Sequence, residues 1–286
     1  MQLHFNLTNQ LIKIFFTLFV FGLITKVSES QSLNAMDKLH ITLMKSIYNE
    51  YADHPEKITS PINYNTKANN PQSGAVENAT LQESLKTSLT PTGGGLFNYR
   101  QQEDTKGSQL LLDNWVRGLV FDAKGQPVSD SGLVFNYNKM NGDLIVTNDL
   151  KSGLTIDRSL IAGFVLLYPD NTEHFFTLMP SISGNLYCEI VGLGKNEAIL
   201  KLTSTKFQKA NYQTDGMTSS GNDYNEYVDS KSYFVIDLKN NSVNKFDLKK
   251  KSLKEAFHDN VSATSYINTH SGDITEDYLK DMSNSL

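Results

Sequence analysis

Cysteine is almost missing from this sequence of 286 residues, which contains a single one, Cys188. One cysteine excludes a framework of intrachain disulfides and any zinc site built from several cysteines. Basic residues are also in a minority, with 26 Lys and Arg against 31 Asp and Glu, so the formal net charge is −5. Because binding to the phosphates of nucleic acids requires a basic surface, we do not expect nucleic acid as a partner.

Short signatures of catalysis and of metal binding are missing as well. The sequence contains no G-x-S-x-G, H-E-x-x-H, H-x-H or C-x-x-C. A nucleophilic serine on a tight turn, a zinc protease site and a thiol redox centre therefore have no support at the level of motifs. We identify no catalytic residues and no cofactor from the sequence, and we favour a function that is not enzymatic.

Long apolar runs are limited to residues 14–24, which directly follow Lys13. This run has about 11 residues, short of the ~20 that cross a bilayer as a helix. Small residues in Ser28-Glu29-Ser30 then precede Gln31. This order is typical of a secretory signal peptide over residues 1–30; an uncleaved anchor helix is the alternative. We expect a periplasmic or secreted protein with no transmembrane segment after cleavage.

An amphipathic helix is predicted within residues 31–52, and a flexible linker within residues 53–109. The helix has apolar residues at spacings of three and four, which places them on one face: Met36, Leu39, Leu43, Ile47 and Tyr51. The linker is rich in Asn, Thr, Pro and Gly and has few large apolar residues. We expect the helix to bury its stripe on the later domain or on a partner. An envelope protein bound through Met36, Leu39, Leu43 and Ile47 is the predicted partner.

Residues 110–286 predict an antiparallel β domain with C-terminal helices. Short runs rich in Val, Ile, Leu, Phe and Tyr are separated by turn residues, and they predict about ten strands. The strands are expected at residues 115–121, 132–137, 143–147, 154–157, 161–168, 173–179, 186–193, 197–202, 232–238 and 242–246. Residues 210–230 are predicted as a polar loop. Capping boxes at 252–255 and 273–276 predict two helix starts.

The predicted fold is therefore mainly β. We expect an antiparallel meander sheet or a half-open barrel of about ten strands with short C-terminal helices. One N-terminal helix and the linker precede this domain.

The pattern over residues 110–286 resembles a group of uncharacterised exported β-rich proteins of Gram-negative bacteria. The residues that carry the likeness are Trp115, Gly118, Val120, Leu133-Val134-Phe135-Asn136-Tyr137-Asn138, Phe164-Val165-Leu166, Tyr187-Cys188-Glu189-Ile190, Gly192 and Lys249-Lys250-Lys251-Ser252-Leu253. The resemblance implies the fold and an exported location. It implies no activity.

Oxygen-rich side chains of the polar loop form the candidate binding site for a cation. These residues are Asp215, Asp223, Asn225, Glu226 and Asp229. Calcium prefers several oxygen ligands from one flexible loop, although the EF-hand order of ligands is missing. Calcium is thus a weak candidate cofactor, and a solvated loop is the alternative.

Histidine, tyrosine and cysteine provide the remaining candidates. His174 and Tyr187 lie on predicted strands and are candidates for binding a small ligand, because aromatic side chains at a barrel mouth bind glycans or apolar molecules. Cys188 could act as a nucleophile with His174 or His258, but its position between Leu186 and Ile190 favours an inert core thiol.

Paired side chains for hydrolysis are also considered. Glu189 and Glu197 could be near neighbours across a hairpin, and two carboxylates that flank a sugar are the requirement for glycoside hydrolysis. His258-Asp259 and the pair His270 and Asp273 could each form half of a catalytic dyad. We expect these residues to be exposed on strand faces and near helix ends instead.

Lysines cluster where the last predicted strand meets the next helix, and they could contact anionic headgroups. They are Lys245, Lys249, Lys250, Lys251 and Lys254. Asp247 and Glu255 interrupt the cluster, which favours a solvated junction.

Three functions follow from the sequence, in order of preference. The first is an exported, non-enzymatic, envelope-associated binding or assembly protein. The second is a carrier of a small ligand or glycan. The third is a hydrolase whose active site carries no known motif.

Overall fold

The computed structural model describes residues 31–59, 96–97, 105–128, 133–147, 153–257 and 260–286. The chain divides into two compact units, Met1–Gln31 and Ser32–Leu286. The predicted signal peptide, most of the predicted linker, and His258 and Asp259 lie outside the described residues. Within the described ranges, no helix is both long enough and apolar enough to cross a membrane.

Strands dominate the second unit. They are β1 (Gln31–Ser32), β2 (Leu96–Phe97), β3 (Thr105–Lys106), β4 (Gly118–Asp122), β5 (Pro127–Val128), β6 (Val134–Asn138), β7 (Asp143–Thr147), β8 (Gly153–Thr155), β9 (Ile161–Leu167), β10 (Glu173–Leu178), β11 (Tyr187–Leu193), β12 (Glu197–Gln208), β13 (Gln213–Thr214), β14 (Ser219–Ser220), β15 (Asn225–Asp237) and β16 (Ser242–Phe246).

Helices lie at both ends of this unit, with one short helix between strands. They are α1 (Ala35–Tyr51), α2 (Pro55–Thr59), α3 (Pro180–Ser183), α4 (Lys250–Ala256), α5 (Val261–Thr269) and α6 (Glu276–Ser283). A single 3₁₀ turn, Arg158–Leu160, connects β8 to β9.

Ten strands form one large open sheet in the order β1-β16-β15-β12-β11-β10-β9-β4-β5, with β3 added beside β15. Its longer neighbours are antiparallel, and β3 alone pairs in parallel. The prediction of a mainly β fold with a large antiparallel sheet is confirmed, together with the N-terminal helix and the short C-terminal helices. The sheet is not closed into a barrel.

A second sheet takes up three strands that the sequence predicts as part of one meander. It has the order β2-β8-β7-β6, and it packs against one face of the large sheet. Aromatic side chains fill the space between the sheets: Phe164 and Phe176 stack with ring centroids 4.8 Å apart, and Tyr137 lies 5.8 Å from Phe164. Apolar side chains on both faces of β9 and β10 require a covering layer on each side, which one meander could not provide.

Helix α1 covers the opposite face of the large sheet. Its buried side chains Ile41, Met44 and Ile47 join a core that includes Val165 and Phe175 of the sheet. Asn34 caps the helix by accepting a hydrogen bond from the backbone N–H of Asp37. This packing makes the helix part of the domain core.

The buried stripe of α1 differs from the predicted one. Ile47 and Tyr51 are buried, but Met36 and Leu39 are 52% and 47% exposed, and Leu43 is only half-buried. The side chains that take their place in the buried stripe include Asp37 and His40, which periodicity cannot assign to a core. Asp37 accepts a backbone hydrogen bond from Ser181, and His40 Nδ1 lies 2.8 Å from the carbonyl oxygen of Leu178. These hydrogen-bonding partners explain why the buried face of α1 is rotated relative to the face that the apolar spacing predicts.

Helices α4, α5 and α6 cover the remaining part of the face on which the second sheet packs. Leu253, Ile267 and Leu279 pack there against Ile199 and Val235 of the large sheet. Gly192 of β11 allows the close approach of α6, because a Cβ atom at this position would lie 2.3 Å from the Oγ of Ser283.

Both predicted capping boxes are wrong in detail. Helix α4 begins after Lys249, with no side-chain cap, and the hydroxyl of Ser252 instead accepts the backbone N–H of Asp247. Helix α6 is capped by Thr275, whose side chain accepts a hydrogen bond from the backbone N–H of Tyr278. The boxes at 252–255 and 273–276 therefore start one helix too late and the other too early.

The predicted polar loop at 210–230 contains strand residues: residues 225–230 belong to β15, and β13 pairs with β14. We define the arm as residues 203–232, the distal parts of β12 and β15 with the segment that connects them. Six register pairs extend the ribbon past Leu202, from Thr203 opposite Lys231 to Gln208 opposite Glu226. The pairing of β11 with β12 ends at Leu202, and that of β16 with β15 ends at Tyr233. Because the arm buries little on either face, its residues have no apolar alternation that predicts a strand.

Candidate functional site

A row of polar side chains lies on one face of the large sheet, between the part that the second sheet covers and the part that α4, α5 and α6 cover. Glu189, Lys201 and Tyr233 lie directly opposite one another on β11, β12 and β15. Lys201 Nζ is 2.7 Å from Glu189 Oε2 and 2.6 Å from Oε2 of Glu276, at the start of α6. The hydroxyl of Tyr233 donates to Oε1 of Glu276 at 2.7 Å. One lysine therefore links the sheet to the last helix through two carboxylates.

His174 extends this row toward the surface. Its Nδ1 lies 2.7 Å from Glu189 Oε1, and its Nε2 lies 3.0 Å from the hydroxyl oxygen of Thr172. The hydroxyl of Thr172 also donates to Oδ1 of Asp170 at 2.6 Å. Tyr168 stacks on the imidazole ring with centroids 3.5 Å apart. A buried carboxylate thus orients an imidazole whose far nitrogen reaches an exposed hydroxyl.

Burial and ion pairing act in opposite directions on the pKa values of this cluster. Burial alone would raise the pKa of Glu189, but the hydrogen bond from His174 and the charge of Lys201 together lower that pKa. Burial would lower the pKa of Lys201, while the charge and hydrogen bond of Glu189, followed by those of Glu276, raise it. Burial, with the hydrogen bond to Glu276, raises the pKa of Tyr233. Glu189 and Lys201 are accordingly both charged at neutral pH.

Cys188 and His174 are not brought together. Cys188 is fully buried in the core beneath α1, whereas His174 is on the other face of the sheet. Burial raises the pKa of the Cys188 thiol to about 12, which makes it inert at neutral pH. The prediction of a core thiol is confirmed, and a nucleophile paired with His174 is ruled out by this geometry. His258 lies outside the described residues.

Tyr187, a predicted ligand-binding residue, belongs to the core between the two sheets. Its ring packs edge-on against Phe164 at 5.0 Å, and its backbone N–H donates to the hydroxyl of Tyr137 at 2.9 Å. Both tyrosines are almost completely buried. Burial raises the pKa of each phenol. They fill space that a barrel would have left for a ligand.

The predicted pair of carboxylates is separated in the structure. Glu189 is opposite Lys201, while Glu197 is opposite Asp237 near the other end of the hairpin. Glu197 Oε1 accepts a hydrogen bond from the amide of Asn260 at 2.7 Å. The two carboxylates are not neighbours, because the register places Lys201 opposite Glu189, and Glu197 lies four positions from Lys201 along β12.

A small polar cavity lies beside Glu197. Its volume is about 30 Å³, and its walls include Asp237, Asn244 and Asn260. This volume matches roughly one water molecule. The cavity is therefore too small for a sugar or another organic ligand.

The five candidate calcium ligands are distributed along the arm. Asp215 accepts the backbone N–H groups of Met217 and Thr218, and these bonds lower its pKa. Asn225 accepts the backbone N–H of Ala210. The remaining three candidates are Asp223, Glu226 at the distal start of β15, and Asp229 at the base of the arm.

Asp229 is already engaged by other side chains. Its Oδ2 lies 2.7 Å from Nζ of the buried Lys139, and its Oδ1 accepts the hydroxyl of Thr205. It lies four positions from Asn225 along β15, which is a distance of about 13 Å. In the described part of the chain, no group of three or more His, Cys, Asp or Glu side chains is arranged to hold a metal ion. Calcium binding stays a prediction.

Three of the eight exposed large apolar side chains of the described residues lie on the arm. Met217 at its tip is 95% exposed, and Tyr212 and Phe207 are 54% and 37% exposed. Phe207 packs against Tyr227 across the ribbon, with ring centroids 5.1 Å apart. The ammonium group of Lys106 lies 3.4 Å from the ring centroid of Tyr224. The arm therefore presents aromatic surface together with polar backbone.

The lysine cluster and the second histidine pair have structural contacts. Lys250 donates to the carbonyl oxygen of His270, and Lys254 donates to the side chain of Asn268. The ring of His270 stacks on Tyr266 at 3.8 Å within the same helix region. These contacts join α4 to α5, as expected of a junction between elements.

Comparison with known proteins adds no assignment: no family model matches the chain, and no curated protein or solved structure is significantly similar to it. The resemblance to exported β-rich proteins stays a prediction.

Sequence reasoning missed Lys201, Glu276 and Lys139. Each is a charged residue on a strand, at a turn or at a helix start, where exposure is the usual outcome. The signal that could have identified this cluster is the spacing of two that places Glu189 on the same strand face as Tyr187 and Val191. A carboxylate flanked by apolar residues on the same face requires a buried cation as its partner.

Proposed function

We propose that this chain is an exported, non-enzymatic binding or assembly protein of the cell envelope, and that the arm is its docking element. The observation that carries the proposal is the extension of β12 and β15 by six register pairs past the ends of their neighbours β11 and β16. A two-stranded ribbon alone is only marginally stable in water. Such an extension contributes little to the domain core, and it is well suited to contact with another molecule.

Exposed apolar groups on the arm support the same proposal. Phe207, Tyr212 and Met217 are 37%, 54% and 95% exposed, and Met140 is 46% exposed on the turn whose neighbour Lys139 contacts the base of the arm. Contiguous exposed apolar surface is typical of sites for protein contact. Tyrosine and phenylalanine are also enriched at interfaces.

Export is supported by residues 1–30. Lys13, the apolar run at 14–24 and the small residues before Gln31 have the order of a signal peptide. The second compact unit begins at Ser32, one residue after the proposed start of the mature chain. N-terminal sequencing of the protein from its native cells tests this part: a chain that begins at Gln31 supports cleavage, and a chain that begins at Met1 contradicts it.

The docking role moves from α1 to the arm. Helix α1 has Ile47 and Tyr51 in the core, so only Met36, Leu39 and part of Leu43 remain for a partner. This remnant is much smaller than the stripe on which the original expectation depended.

Site-specific photo-crosslinking tests the docking role of the arm. A photoreactive residue replaces Met217 in one variant and Val261 in a control variant. Val261 is also apolar and 84% exposed, but it is on α5. In intact native cells we expect one defined adduct from position 217, lost when Phe207 and Tyr212 are changed to serine, and none from position 261. Equal adducts from both positions, or none from either, would contradict the proposal.

A hydrolase is the second candidate, and one observation favours it. Glu189, His174 and Thr172 form a chain of carboxylate, imidazole and hydroxyl with contacts of 2.7 and 3.0 Å. A base oriented by a carboxylate and within reach of a hydroxyl is the geometry of nucleophilic catalysis. Turnover of activated esters by the purified protein, lost in both His174→Gln and Thr172→Val, would support this candidate. No turnover, or turnover unchanged in His174→Gln, would remove it.

A further inference from the structure

We infer that the outer edge of β15 between Val228 and Ser232 binds an extended, acidic strand of a partner protein by adding it to the sheet. This inference rests on the proposed binding function and names the chemistry of the partner. It concerns main-chain groups at the base of the arm, not the apolar tip.

Backbone geometry defines the direction of the free hydrogen-bonding groups. The backbone N–H of Thr205 in β12 donates to the carbonyl oxygen of Lys139, so it points away from β15. Asp229 lies directly opposite Thr205. In an antiparallel pair, residues opposite each other both turn their N–H and C=O groups either inward or outward. Asp229 and, two residues later, Lys231 therefore direct these groups toward the outer edge.

The bond between Leu238 and Asn196 gives the same pattern. The N–H of Leu238 donates to the carbonyl oxygen of Asn196 next to the pair Glu197–Asp237. Even-numbered residues of β15 thus bond to β12, and odd-numbered residues face outward.

The outer edge is occupied on both sides of this segment. Strand β3 pairs with Asn225 and Glu226 at one end, and β16 pairs with Tyr233 through Asp237 at the other. Gly107, with φ of +73°, ends the pairing of β3 and comes close to the carbonyl oxygen of Tyr227. Among the described strands, none pairs with Val228 to Ser232 on this side. The gap fits about five residues, a length of roughly 17 Å.

Because β3 and β16 pair with β15 on either side of the free segment, a second copy of β15 cannot be the strand that binds there. Two β15 strands of full length would have to run side by side, but β3 and β16 already fill the neighbouring positions on each copy. A short segment that enters and leaves the edge has no such conflict. Addition of an extended peptide to an open sheet edge is a common mode of recognition.

The side chains of Val228 to Ser232 determine which charge is favourable on the bound strand of the partner. Asp229 forms an ion pair with Lys139 and accepts a hydrogen bond from the hydroxyl of Thr205. Lys231 is 56% exposed in its side chain, and its contact with Glu276 is long, at 3.9 Å. Val228, Ser230 and Ser232 carry no charge. A strand with an acidic residue beside Lys231 and uncharged residues elsewhere complements this edge, because opposite charges across strands attract.

A designed peptide tests the inference on the full chain. The probe is a short peptide of alternating threonine and valine with one central glutamate. Its controls are the same peptide with lysine for glutamate and a version N-methylated on alternate residues, which cannot pair. We expect the glutamate peptide to slow hydrogen exchange at the amides of Asp229 and Lys231, and we expect neither control to do so.

Two substitutions of Lys231 distinguish the contribution of its backbone N–H to peptide binding from the contribution of its side chain. Lys231→Pro removes an outward N–H that makes no bond to β12, and proline is tolerated at such edge positions. We expect it to weaken binding of the glutamate peptide by at least about tenfold, while Lys231→Ala has a smaller effect. Thermal unfolding checks that Lys231→Pro is folded; if it is not, the N-methylated peptide gives the decisive comparison.

The outcomes distinguish this inference from the proposed function. Binding that survives Lys231→Pro and N-methylation, or no exchange protection at any peptide concentration, would overturn edge addition. If the crosslinked partner at position 217 is then still found, the binding function stands and only the strand-addition site fails. Loss of that partner in Lys231→Pro, with folding intact, would support both.

Discussion

Lys201 and Glu189 lie opposite each other on neighbouring strands, and their charged groups are 2.7 Å apart. Both side chains are less than one tenth exposed, although Tyr187 and Val191 beside Glu189 belong to apolar cores. Removing two charges from water is costly, so each partner depends on the other for its presence in this environment. The pair also fixes Glu276 and thereby the start of α6.

Loss of Lys201 is expected to be strongly destabilising. Lys201→Met leaves two carboxylates without their shared cation and should lower the free energy of unfolding by about 3–5 kcal/mol. The double variant Lys201→Met with Glu189→Leu should recover part of this loss, because it leaves one charge fewer unpaired. Urea denaturation measures both. Lys206→Met, at an exposed position of the same strand, is the control and should change stability by less than about 0.5 kcal/mol. An equal effect of the two lysine substitutions would contradict the argument.

Stability is expected to depend on pH through the same pair. The pKa of Glu189 is lowered from 4.5 in the folded protein, so its contribution is complete above that value and is lost as pH falls through the folded pKa. The pKa of Lys201 is raised from 10.5, so its contribution is present below that value and is lost as pH rises through the folded pKa. Urea midpoints measured from acid to neutral pH should fall more steeply on acidification for the wild type than for Glu189→Gln. Parallel curves would show that Glu189 does not cause the acid sensitivity.

Because the buried face of α1 differs from the predicted one, we expect opposite results for the stability effects of truncating two of its apolar residues. Met44 is completely buried against the sheet, and Leu39 is 47% exposed. Met44→Ala should cost about 2–5 kcal/mol, because it removes buried surface and leaves a cavity. Leu39→Ala should stay within about 0.5 kcal/mol of the wild type. Chemical denaturation of the two variants checks this, and a larger loss for Leu39→Ala would restore the stripe predicted from periodicity.

The contact between β11 and α6 predicts a pair of coupled substitutions. Gly192→Ala places a Cβ atom 2.3 Å from Oγ and 2.6 Å from Cβ of Ser283, so the helix must shift. We expect a loss of about 1–3 kcal/mol from overpacking. Ser283→Gly removes both clashing atoms and should make the second substitution much less harmful. Thermal unfolding of the two single variants and the double variant measures the coupling, and strict additivity would refute the proposed contact.

Alternation of apolar residues predicted most strands of the large sheet, since burial on at least one face leaves a period of two in the sequence. The positions of Glu189 and Lys201 could not be assigned in this way. Alternation suggests one solvent-facing side, whereas both faces of β11 are covered here, by α1 on one side and by α6 and the second sheet on the other. A charged residue inside such a strand has a buried environment that only the complete fold reveals.

The arm escaped prediction for the opposite reason. Residues such as Ser204, Lys206 and Ser230 pair through their backbones without burying an apolar face. Strand pairing of this kind leaves no hydrophobic period to detect. The arm has few buried contacts, and for this reason its strands could not be predicted from the sequence. The same lack of buried contacts makes the arm the best candidate for contact with a partner.

The sole thiol of the chain gives a practical route to observing the arm in motion. Cys188 is enclosed in the core and ionises only near the upper end of the pH scale, so reagents that modify thiolates should leave it untouched in the folded protein. An introduced cysteine at Met217 would then carry a single fluorescent or spin label without removal of the native residue. Its mobility, recorded before and after a ligand or partner is added, would report directly on whether the tip of the arm becomes immobilised.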